Sequence, residues 1–460
     1  MANPIKSKPR SRRTNSANRD ALNRQMIPSL PREAARVRAS GDTIVPRSAD
    51  LVPLLLHWFS ANARDLPWRR TRDPYAIWVS EIMLQQTQVK TVIPYWERWM
   101  RELPSIQAAA KTSSAKLHKL WEGLGYYTRV RNLQKTAQQI LAQHDGKFPE
   151  NFPDILALSG IGRYTAGAIS SIAFNQPTPI LDGNVTRVLT RLFGLTTDPR
   201  EKQTNAHLWQ LAEKLVAQAA NLDSPPNSRC GRARSNIRNP KPETRNSESL
   251  LTSAAIVKGS CSALNQSLME LGALICTPRS PECGICPVQR LCAARNNNLQ
   301  DQLPNLGKRE TTTARSFIAF VVARDGKFFV RQRPEGVVNA HLWEFPNVEI
   351  AAAKGGARHS SHADPCQLRK GAQRSAAPHQ TNDFLPTTTK PLCSIKHSIT
   401  RYRITLEAYR AEFAKPYTKL SGRWLTPQQL HKLAFTSAHK KILNHLGTPN
   451  PVSARRNGPP

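Results

Sequence analysis

Residues 153–174 read PDILALSGIGRYTAGAISSIAF, a short turn between two segments whose apolar residues have helical spacing. In the turn, Gly160 and Gly162 flank one apolar residue, and glycines at this spacing permit a tight bend with exposed backbone N–H groups. Such groups at the start of a helix can bind a phosphate, and the basic residue Arg163 follows directly. The motif therefore favours a helix–hairpin–helix that holds a nucleic-acid backbone without reading its sequence, with an ordinary turn between helices as the alternative.

Helical spacing of apolar residues also marks the segments on both sides of this turn. Such segments follow one another from Leu51 to Ala220, separated by short stretches of Gly, Pro and Asp, and the spacing resumes at 264–275. Residues 222–258 interrupt it with prolines among scattered Arg and Ser. We therefore predict an all-α domain over residues 49–295 with a flexible insertion at 222–258.

The helical spacing stops after residue 295. Residues 316–323 (SFIAFVVA) form a strand-like run, Asp325 and Gly326 give a hairpin signal, and residues 327–333 give a second strand. This pattern predicts an α+β domain. The remaining predicted boundaries are a basic disordered arm (1–48), a linker (296–314), the α+β domain itself (315–448), a low-complexity insertion within it (351–390) and a disordered tail (449–460).

The charge balance indicates the kind of partner. The 460 residues include 66 Lys and Arg against 32 Asp and Glu, which gives a formal net charge of +34. Such an excess indicates a polyanion, with nucleic acid ahead of an acidic membrane surface. No run approaches the roughly 18 uncharged apolar residues that span a bilayer, so we expect no membrane-embedded protein.

Four cysteines lie in one short loop with the spacing Cys276-x6-Cys283-x2-Cys286-x5-Cys292. Structural zinc sites usually have two close pairs of ligands, whereas this loop has a single CxxC. A [4Fe–4S] cluster takes four cysteines, and its larger size tolerates the wider spacings. The loop therefore favours an iron–sulfur cluster over zinc, and either of them over four unrelated thiols.

Two carboxylates are candidates for chemistry. Within residues 77–89, Glu81, Gln85 and Gln88 fall at i, i+4 and i+7, which places them on one polar face of a predicted helix. A carboxylate there is either a solvated surface charge or part of a site, and the neighbouring amides favour a site. Asp182 directly precedes an amphipathic segment, where the simplest interpretation is a helix N-cap.

Four stretches, one of them within residues 153–174, complete the pattern together with the cysteine loop: LPWRRTRDPYAIWVSEIMLQQTQVKTVIPYWERWM (66–100), WEGLGYYTRVRNL (121–133), LSGIGRYTAGAI (158–169) and LDGNVTRVLTRLFG (181–194). Together they resemble the MutY-type adenine DNA glycosylases over the whole helical domain apart from its insertion. The resemblance implies the helix–hairpin–helix glycosylase fold with a [4Fe–4S] cluster. It also implies an enzyme that removes adenine mispaired with 8-oxoguanine or guanine in double-stranded DNA.

By this resemblance, Glu81 matches the catalytic acid of the family, Asp182 its second carboxylate, and Asn184 the asparagine that supports that carboxylate. Cleavage of a glycosidic bond needs an acid for the leaving base and an anion beside the cationic sugar. Glu81 would assist departure of adenine through N7, Asp182 would stabilise or capture C1′, and water would complete the hydrolysis. The target adenine must leave the base stack to reach them.

The same resemblance implies residues that contact the lesion. Tyr126 matches the tyrosine that inserts beside the oxidised guanine, and Gln85 and Gln86 match glutamines near the lesion pair. Tyr164 stands where the related endonuclease III type of bifunctional glycosylase carries a lysine, whose amine attacks C1′ and permits strand cleavage. We therefore predict a monofunctional enzyme, in which Tyr164 either hydrogen-bonds near the base or packs in the core.

The C-terminal strands, with LWEFP at 342–346, resemble the Nudix-related domain of the family, which reads 8-oxoguanine. Many members have Phe-Ser-His where this chain has Ile399, Thr400 and Arg401; Thr400 keeps a hydroxyl that can bond the lesion. Residues 350–356 lack the carboxylates of a working Nudix hydrolase, so we expect no metal-dependent nucleotide hydrolysis.

Two other functions stay open at this point, a bifunctional endonuclease III-type glycosylase and a non-catalytic protein that binds DNA lesions. Tyr164 disfavours the first, and the presence of both Glu81 and Asp182 disfavours the second. We expect a monomer in the bacterial cytoplasm, associated with the nucleoid.

Overall fold

The structure is a computed structural model that describes residues 48–223, 259–307, 311–350, 383–399, 401–414 and 421–446. The predicted arm up to residue 47, the insertion from 224 to 258, the insertion from 351 to 382 and the tail lie outside the described residues. The chain divides into two compact units. The first comprises residues 1–65 and 163–307, and the second comprises residues 66–162 and 308–460.

The helices of the described residues are α1 (Ser48–Asn62), α2 (Pro74–Leu84), α3 (Val89–Glu102), α4 (Ile106–Lys111), α5 (Ser114–Leu120), α6 (Thr128–Gln143), α7 (Phe152–Ala157), α8 (Arg163–Phe174), α9 (Gly183–Leu192), α10 (Lys202–Asp223), α11 (Ser260–Leu274), α12 (Ala293–Asn296), α13 (Pro427–Lys432) and α14 (Ser437–Leu446). The strands are β1 (Thr313–Arg324), β2 (Lys327–Gln332), β3 (Trp343–Glu344), β4 (Asn347–Ile350), β5 (Phe384–Pro386), β6 (Cys393–Ile399), β7 (Tyr402–Phe413) and β8 (Arg423–Leu425). Among these helices, none combines the length and apolar character that a membrane span requires.

Helix α11 is central to the first unit. It packs against α1, α8, α9 and α10, and it buries most of its residues between Ser260 and Gly272. Gly272 is needed for this packing, because a Cβ at that position would lie 2.8 Å from the Cβ of Asn184. The first turn of α9 therefore approaches α11 closely, which fixes the segment that begins at Asp182.

Helix α2 is buried on all sides in the second unit. Its N-cap is Asp73, whose side chain accepts a hydrogen bond of 3.0 Å from the backbone N–H of Tyr75, and every residue from Tyr75 to Met83 is buried. The helix ends at Leu84, since Gln86 has a φ of +57°. A residue with positive φ cannot continue a right-handed helix.

This ending contradicts one prediction. The single helix over residues 77–89, with Glu81, Gln85 and Gln88 on one polar face, is wrong, because α3 begins only at Val89. The carbonyl groups at the end of α2 are bound by the side chain of Arg129 instead of by further helical N–H groups. Glu81 consequently lies in a buried helix, and both glutamines lie in the loop that follows it, at 85–88.

The C-terminal strands form a mixed sheet in the order β3-β2-β1-β7-β5. In addition, β4 pairs with β1, β8 pairs with β2, and β6 pairs with β7. Strands β1 and β7 are parallel, from Thr313 opposite Tyr402 to Val322 opposite Ala411. The predicted hairpin is confirmed, since Arg324 lies opposite Lys327 across the turn. The α+β prediction is confirmed too, because α13 and α14 contribute Leu430, Ala438 and Ile442 to the core that contains alternate residues of β1.

Glu122, between α5 and α6, connects the helices of the second unit to its C-terminal part. One oxygen, Oε1, accepts a hydrogen bond of 3.0 Å from the backbone N–H of Phe435. The other, Oε2, lies 2.7 Å from Lys119 Nζ and 3.5 Å from Lys440 Nζ. Lys119 Nζ also donates to the carbonyl of Leu433 at 3.0 Å. The α5–α6 connection is thus bound directly to the segment before α14.

Candidate active site

Glu81 is a buried carboxyl group near the end of α2. Its exposed fraction is 5%, and its neighbours Ser80 and Ile82 are buried as well. Burying a carboxyl group is unfavourable unless polar groups compensate for the lost water. This burial removes the alternative of a solvated surface charge and favours a residue retained for chemistry or for a polar contact.

Asp182 is the N-cap of α9, as the simplest interpretation of the sequence predicted. Its Oδ1 accepts a hydrogen bond of 2.7 Å from the backbone N–H of Val185, and its Oδ2 accepts one of 3.0 Å from the side-chain amide of Asn184. Burial raises the pKa of the Asp182 carboxyl, while these hydrogen bonds and nearby Arg187 lower it by less. The carboxylate is therefore held in a single orientation in a poorly hydrated place.

Arg187, which the sequence analysis missed, connects this cap to the cysteine loop. Its guanidinium donates to Asn184 Oδ1 at 3.0 Å, to the carbonyl of Gly272 at 2.7 Å and to the carbonyl of Cys276 at 2.7 Å. The signal in the sequence is an arginine among the apolar residues of α9, and its exposed fraction is 9%. Arg187 thus fixes Asn184, which in turn fixes Asp182.

The four cysteines of the loop line one pocket with an apolar wall that includes Val188, Leu271 and Ile275. Arg191, one helical turn after Arg187, is 2% exposed and donates to Cys276 Sγ at 3.4 Å and to the carbonyl of Thr277 at 2.7 Å. The pocket-lining cysteines are Cys276, Cys283, Cys286 and Cys292, and all four are free thiols. The loop is therefore organised around a common centre.

These thiols fit the ligand set of an iron–sulfur cluster. A [4Fe–4S] cluster takes four cysteines, and the four thiols of the loop line one pocket. Burial and the neighbouring cysteines raise the pKa of the Cys286 thiol to about 12, so cationic iron is what would keep it a thiolate.

Tyr164 lies in the first turn of α8 and is partly buried. Its hydroxyl donates to the sulfur of Met269 in α11 at 3.5 Å. This contact agrees with the packing role that the sequence left open. A phenol at this position offers no amine for attack on a sugar carbon.

The turn at 158–162 is held by α6. The backbone N–H of Ser159 donates to Gln139 Oε1 at 2.9 Å, and Thr136 Oγ1 donates to the carbonyl of Ser159. Gly160 has a φ of +77°, and a Cβ there would lie 2.8 Å from the Cβ of Asn132. Only glycine meets both conditions without strain.

Gly162 and Arg163 behave differently from Gly160. No atom lies within 4 Å of a Cβ built at Gly162, so its backbone is open to a close approach. The Arg163 guanidinium lies 3.9 Å from the centre of the Trp209 ring. This stacking holds the charge at the first residue of α8.

Gln86 and Tyr126 lie in two loops with similar backbone geometry. Both have positive φ, +57° for Gln86 and +47° for Tyr126, and both side chains are exposed. The exposed fraction of Tyr126, 44%, is large for a tyrosine. Gln85 lies one residue before Gln86 and lines a cavity of about 90 Å³ together with Arg129 and Gly160.

The C-terminal residues predicted to contact the lesion are described only in part. Thr400 and residues 351–356 lie outside the described residues. Ile399 ends β6 and Tyr402 begins β7 directly opposite it, as expected for a strand and its turn. Arg401 donates to the hydroxyl of Tyr402 at 3.2 Å and lies over its ring.

Comparison with protein families matches three parts of the chain. Residues 79–214 match the HhH-GPD superfamily of base excision DNA repair proteins, and residues 276–292 match the iron-sulfur binding domain of endonuclease III. Residues 318–445 match a NUDIX domain. These matches contain the two candidate carboxyl groups, the cysteine loop and the C-terminal sheet respectively.

Comparison with whole proteins gives several relatives named adenine DNA glycosylase. The chain is 33% identical over 447 residues to the adenine DNA glycosylase of Homo sapiens, covering 84% of this chain and 72% of that protein. It is 33% identical over 297 residues to the adenine DNA glycosylase of Buchnera aphidicola subsp. Schizaphis graminum, covering 64% of this chain and 74% of that protein. The structure of a thermostable thymine-DNA glycosylase matches at 27% identity and a TM-score of 0.43, covering 54% of this chain and 97% of that chain.

Proposed function

Because the chain belongs to the adenine DNA glycosylase family, we propose that it removes adenine paired with 8-oxoguanine or guanine. Its membership establishes the coarser activity, a base excision repair enzyme that binds DNA and cleaves the N-glycosidic bond of adenine, with a [4Fe–4S] cluster. The preference for adenine opposite 8-oxoguanine or guanine goes beyond this coarser activity and is the proposal. The observation that carries it is the pair of loops that present Gln86 and Tyr126 to solvent in a constrained backbone geometry.

In the proposed reaction, Glu81 is the proton donor and Asp182 is the anion. Glu81 gives a proton to N7 of adenine as the bond to C1′ breaks, so that the base leaves as a neutral molecule. The Asp182 carboxylate, oriented by Asn184 and by the N–H of Val185, stabilises the positive charge that develops on the sugar. Water then adds to C1′ and releases a proton, which leaves an abasic site.

The cysteines of the loop are the proposed ligands of the cluster, and Arg191 holds the first of them in place. When bound, the cluster supplies iron–thiolate bonds that close the loop between Cys276 and Cys292. Since Arg187 binds the carbonyl of Cys276 and the side chain of Asn184, the closed loop also supports the orientation of Asp182.

Tyr164 supports hydrolysis without strand cleavage. No lysine occupies this position, and the phenol donates to Met269. A Schiff base to C1′ therefore has no nucleophile there.

In the same proposal, the turn at 158–162 holds the DNA backbone. The protein acts as a monomer on nucleoid DNA in the bacterial cytoplasm, and this setting is consistent with the Buchnera relative.

The test is a single-turnover assay on three duplexes that differ only in the base opposite one adenine: 8-oxoguanine, guanine or thymine. We expect alkali-dependent breaks on the adenine strand for the first two duplexes and none for the third. Strand breaks without alkali, or a covalent adduct trapped by borohydride, would contradict the monofunctional reaction. Equal cleavage of the thymine duplex would contradict the choice of mispair. Glu81→Gln is the inactive control.

A further inference from the structure

Arg129, in the first turn of α6, binds two separate loops at once. It donates hydrogen bonds to the carbonyls of Ile82 (2.8 Å), Met83 (3.0 Å), Gln85 (2.6 Å), Leu124 (3.0 Å) and Gly125 (3.1 Å) and to Thr87 Oγ1 (3.4 Å). The acceptors in Ile82, Met83, Gln85 and Thr87 belong to the end of α2 and the loop after it. The acceptors in Leu124 and Gly125 belong to the loop between α5 and α6.

Each loop contains a residue that the proposed function assigns to the lesion, and the first loop also contains Gln85, which the family resemblance places near the lesion pair. Gln86 follows Gln85, whose carbonyl Arg129 binds, and Tyr126 follows Gly125, whose carbonyl Arg129 also binds. Both residues are non-glycine residues with positive φ. Such a conformation is unfavourable and persists only where the surroundings hold it.

The guanidinium is suited to this task in ways that an ammonium is not. Its rigid planar fork directs N–H groups at both loops simultaneously. The carbonyls at the end of α2 lack helical partners, and a cation near a helix C-terminus is favourable. The guanidinium carbon also lies 5.3 Å from the Trp121 ring centre and 5.6 Å from that of Tyr126. Arg129 thereby contacts the proposed lesion-contacting tyrosine directly.

We propose that Arg129 is the positioning residue that fixes loops 84–88 and 123–127 relative to one another, so that Gln86 and Tyr126 engage the mispair together. The lesion-contacting roles of these two residues rest on the proposed function. The fixing of the loops does not, because it follows from contacts within the free protein. The two statements are tested by different measurements.

The first measurement is hydrogen exchange of the free protein with Arg129→Lys. Lysine keeps the charge but cannot reach both sets of carbonyls, so we expect amide exchange to rise about tenfold or more in both loops. The turn at 158–162 should be unchanged. Arg98→Lys is the matched control, since Arg98 also donates to a carbonyl, that of Leu120 at 2.8 Å, and lies over Tyr95. Unchanged exchange, or a rise in only one loop, would overturn the proposal.

The second measurement is a double-mutant cycle in DNA binding. The probe is a duplex with 8-oxoguanine opposite an uncleavable 2′-fluoro-adenosine, compared with an undamaged duplex. Arg129→Lys should weaken lesion binding about tenfold while leaving undamaged binding nearly unchanged, and its effect should largely vanish in a Tyr126→Ala background. Equal loss on both duplexes, or additive effects, would mean that Arg129 only stabilises the fold. If the wild type itself shows no preference for the lesion, the proposed mispair fails, while the exchange result still decides the role of Arg129.

Discussion

Asp182 combines a structural and a proposed chemical role in one side chain. It caps α9 through Val185, and the same carboxylate is the proposed anion beside the sugar. A cap requires only one carboxylate oxygen, and the second oxygen accepts a hydrogen bond from the side-chain amide of Asn184. The sequence allowed the cap to be predicted from residue type alone. It could not reveal the raised pKa, which comes from burial of the carboxyl group in the folded chain.

The pH dependence of activity should report on this carboxylate. Because burial raises the pKa of Asp182 above 3.8, we expect the acid limb of kcat/KM to lie above that pH. Asn184→Ala removes a hydrogen bond that stabilises the ionised form, so the pKa should rise further and the limb should move to higher pH by about one unit. The measurement is a pH profile of adenine release. Asn205→Ala, which loses a hydrogen bond to a backbone carbonyl, is the control.

A limb that stays in place in Asn184→Ala, or moves to lower pH, would contradict the role of Asn184.

Three arginines, two of them buried and one half-buried, are the residues that sequence reasoning missed at this scale. Arg129, Arg187 and Arg191 bind backbone carbonyls of segments that only the fold brings near. The apolar neighbours of Arg187 mark it as unusual, but no local pattern shows which carbonyls any of the three arginines binds in a chain with 66 basic residues.

At the scale of elements, the start of α8 shows where a local sequence pattern suffices for prediction, and the end of α2 shows where it does not. The turn before α8 was predictable, because Gly160 is required by its own φ and by a close neighbour. The end of α2 was not, because the sequence QQTQ (85–88) contains neither Gly nor Pro as a stop signal. Arg129 ends that helix by binding its carbonyls from another element, which is a tertiary effect.

The two glycines of the turn give a matched pair of variants. Gly160→Ala forces a Cβ into the left-handed region and against Asn132, so we expect a loss of about 1–2 kcal/mol in the free energy of unfolding. Gly162→Ala meets open space and should cost well under 1 kcal/mol of stability, while weakening DNA binding if the backbone approaches a phosphate there. Urea denaturation and duplex affinity measure the two effects. Equal destabilisation by both variants would contradict the assigned geometry.

At the scale of the whole molecule, composition and spacing predicted the helical domain, the cysteine loop and the α+β domain. The family comparisons support these parts of the prediction. The division into two compact units was not predictable, because residues 66–162 group with the C-terminal part through contacts such as those of Glu122. The domain boundaries from the sequence stay predictions.

Glu122 should stabilise the second unit more than an exposed ion pair does. Its side chain is 13% exposed and forms ion pairs with both Lys119 and Lys440. Glu122→Gln leaves both lysines without a counterion, so we expect a loss of about 2 kcal/mol in the free energy of unfolding. Glu102→Gln is the control, because the Glu102–Lys116 pair is exposed and should contribute at most about 1 kcal/mol. Urea denaturation measures both, and equal losses would contradict the role of Glu122.

The most direct test of the account is the release of free adenine from a duplex with one 8-oxoguanine·adenine pair under single-turnover conditions. Wild type, Glu81→Gln and Asp182→Asn are compared at equal cluster content and with their duplex affinities measured. We predict stoichiometric adenine release by the wild type, and rates at least about 100-fold lower for both variants with DNA binding retained. A variant that releases adenine at a rate close to wild type, or a wild type that binds this duplex and releases none, would contradict the two-carboxylate mechanism.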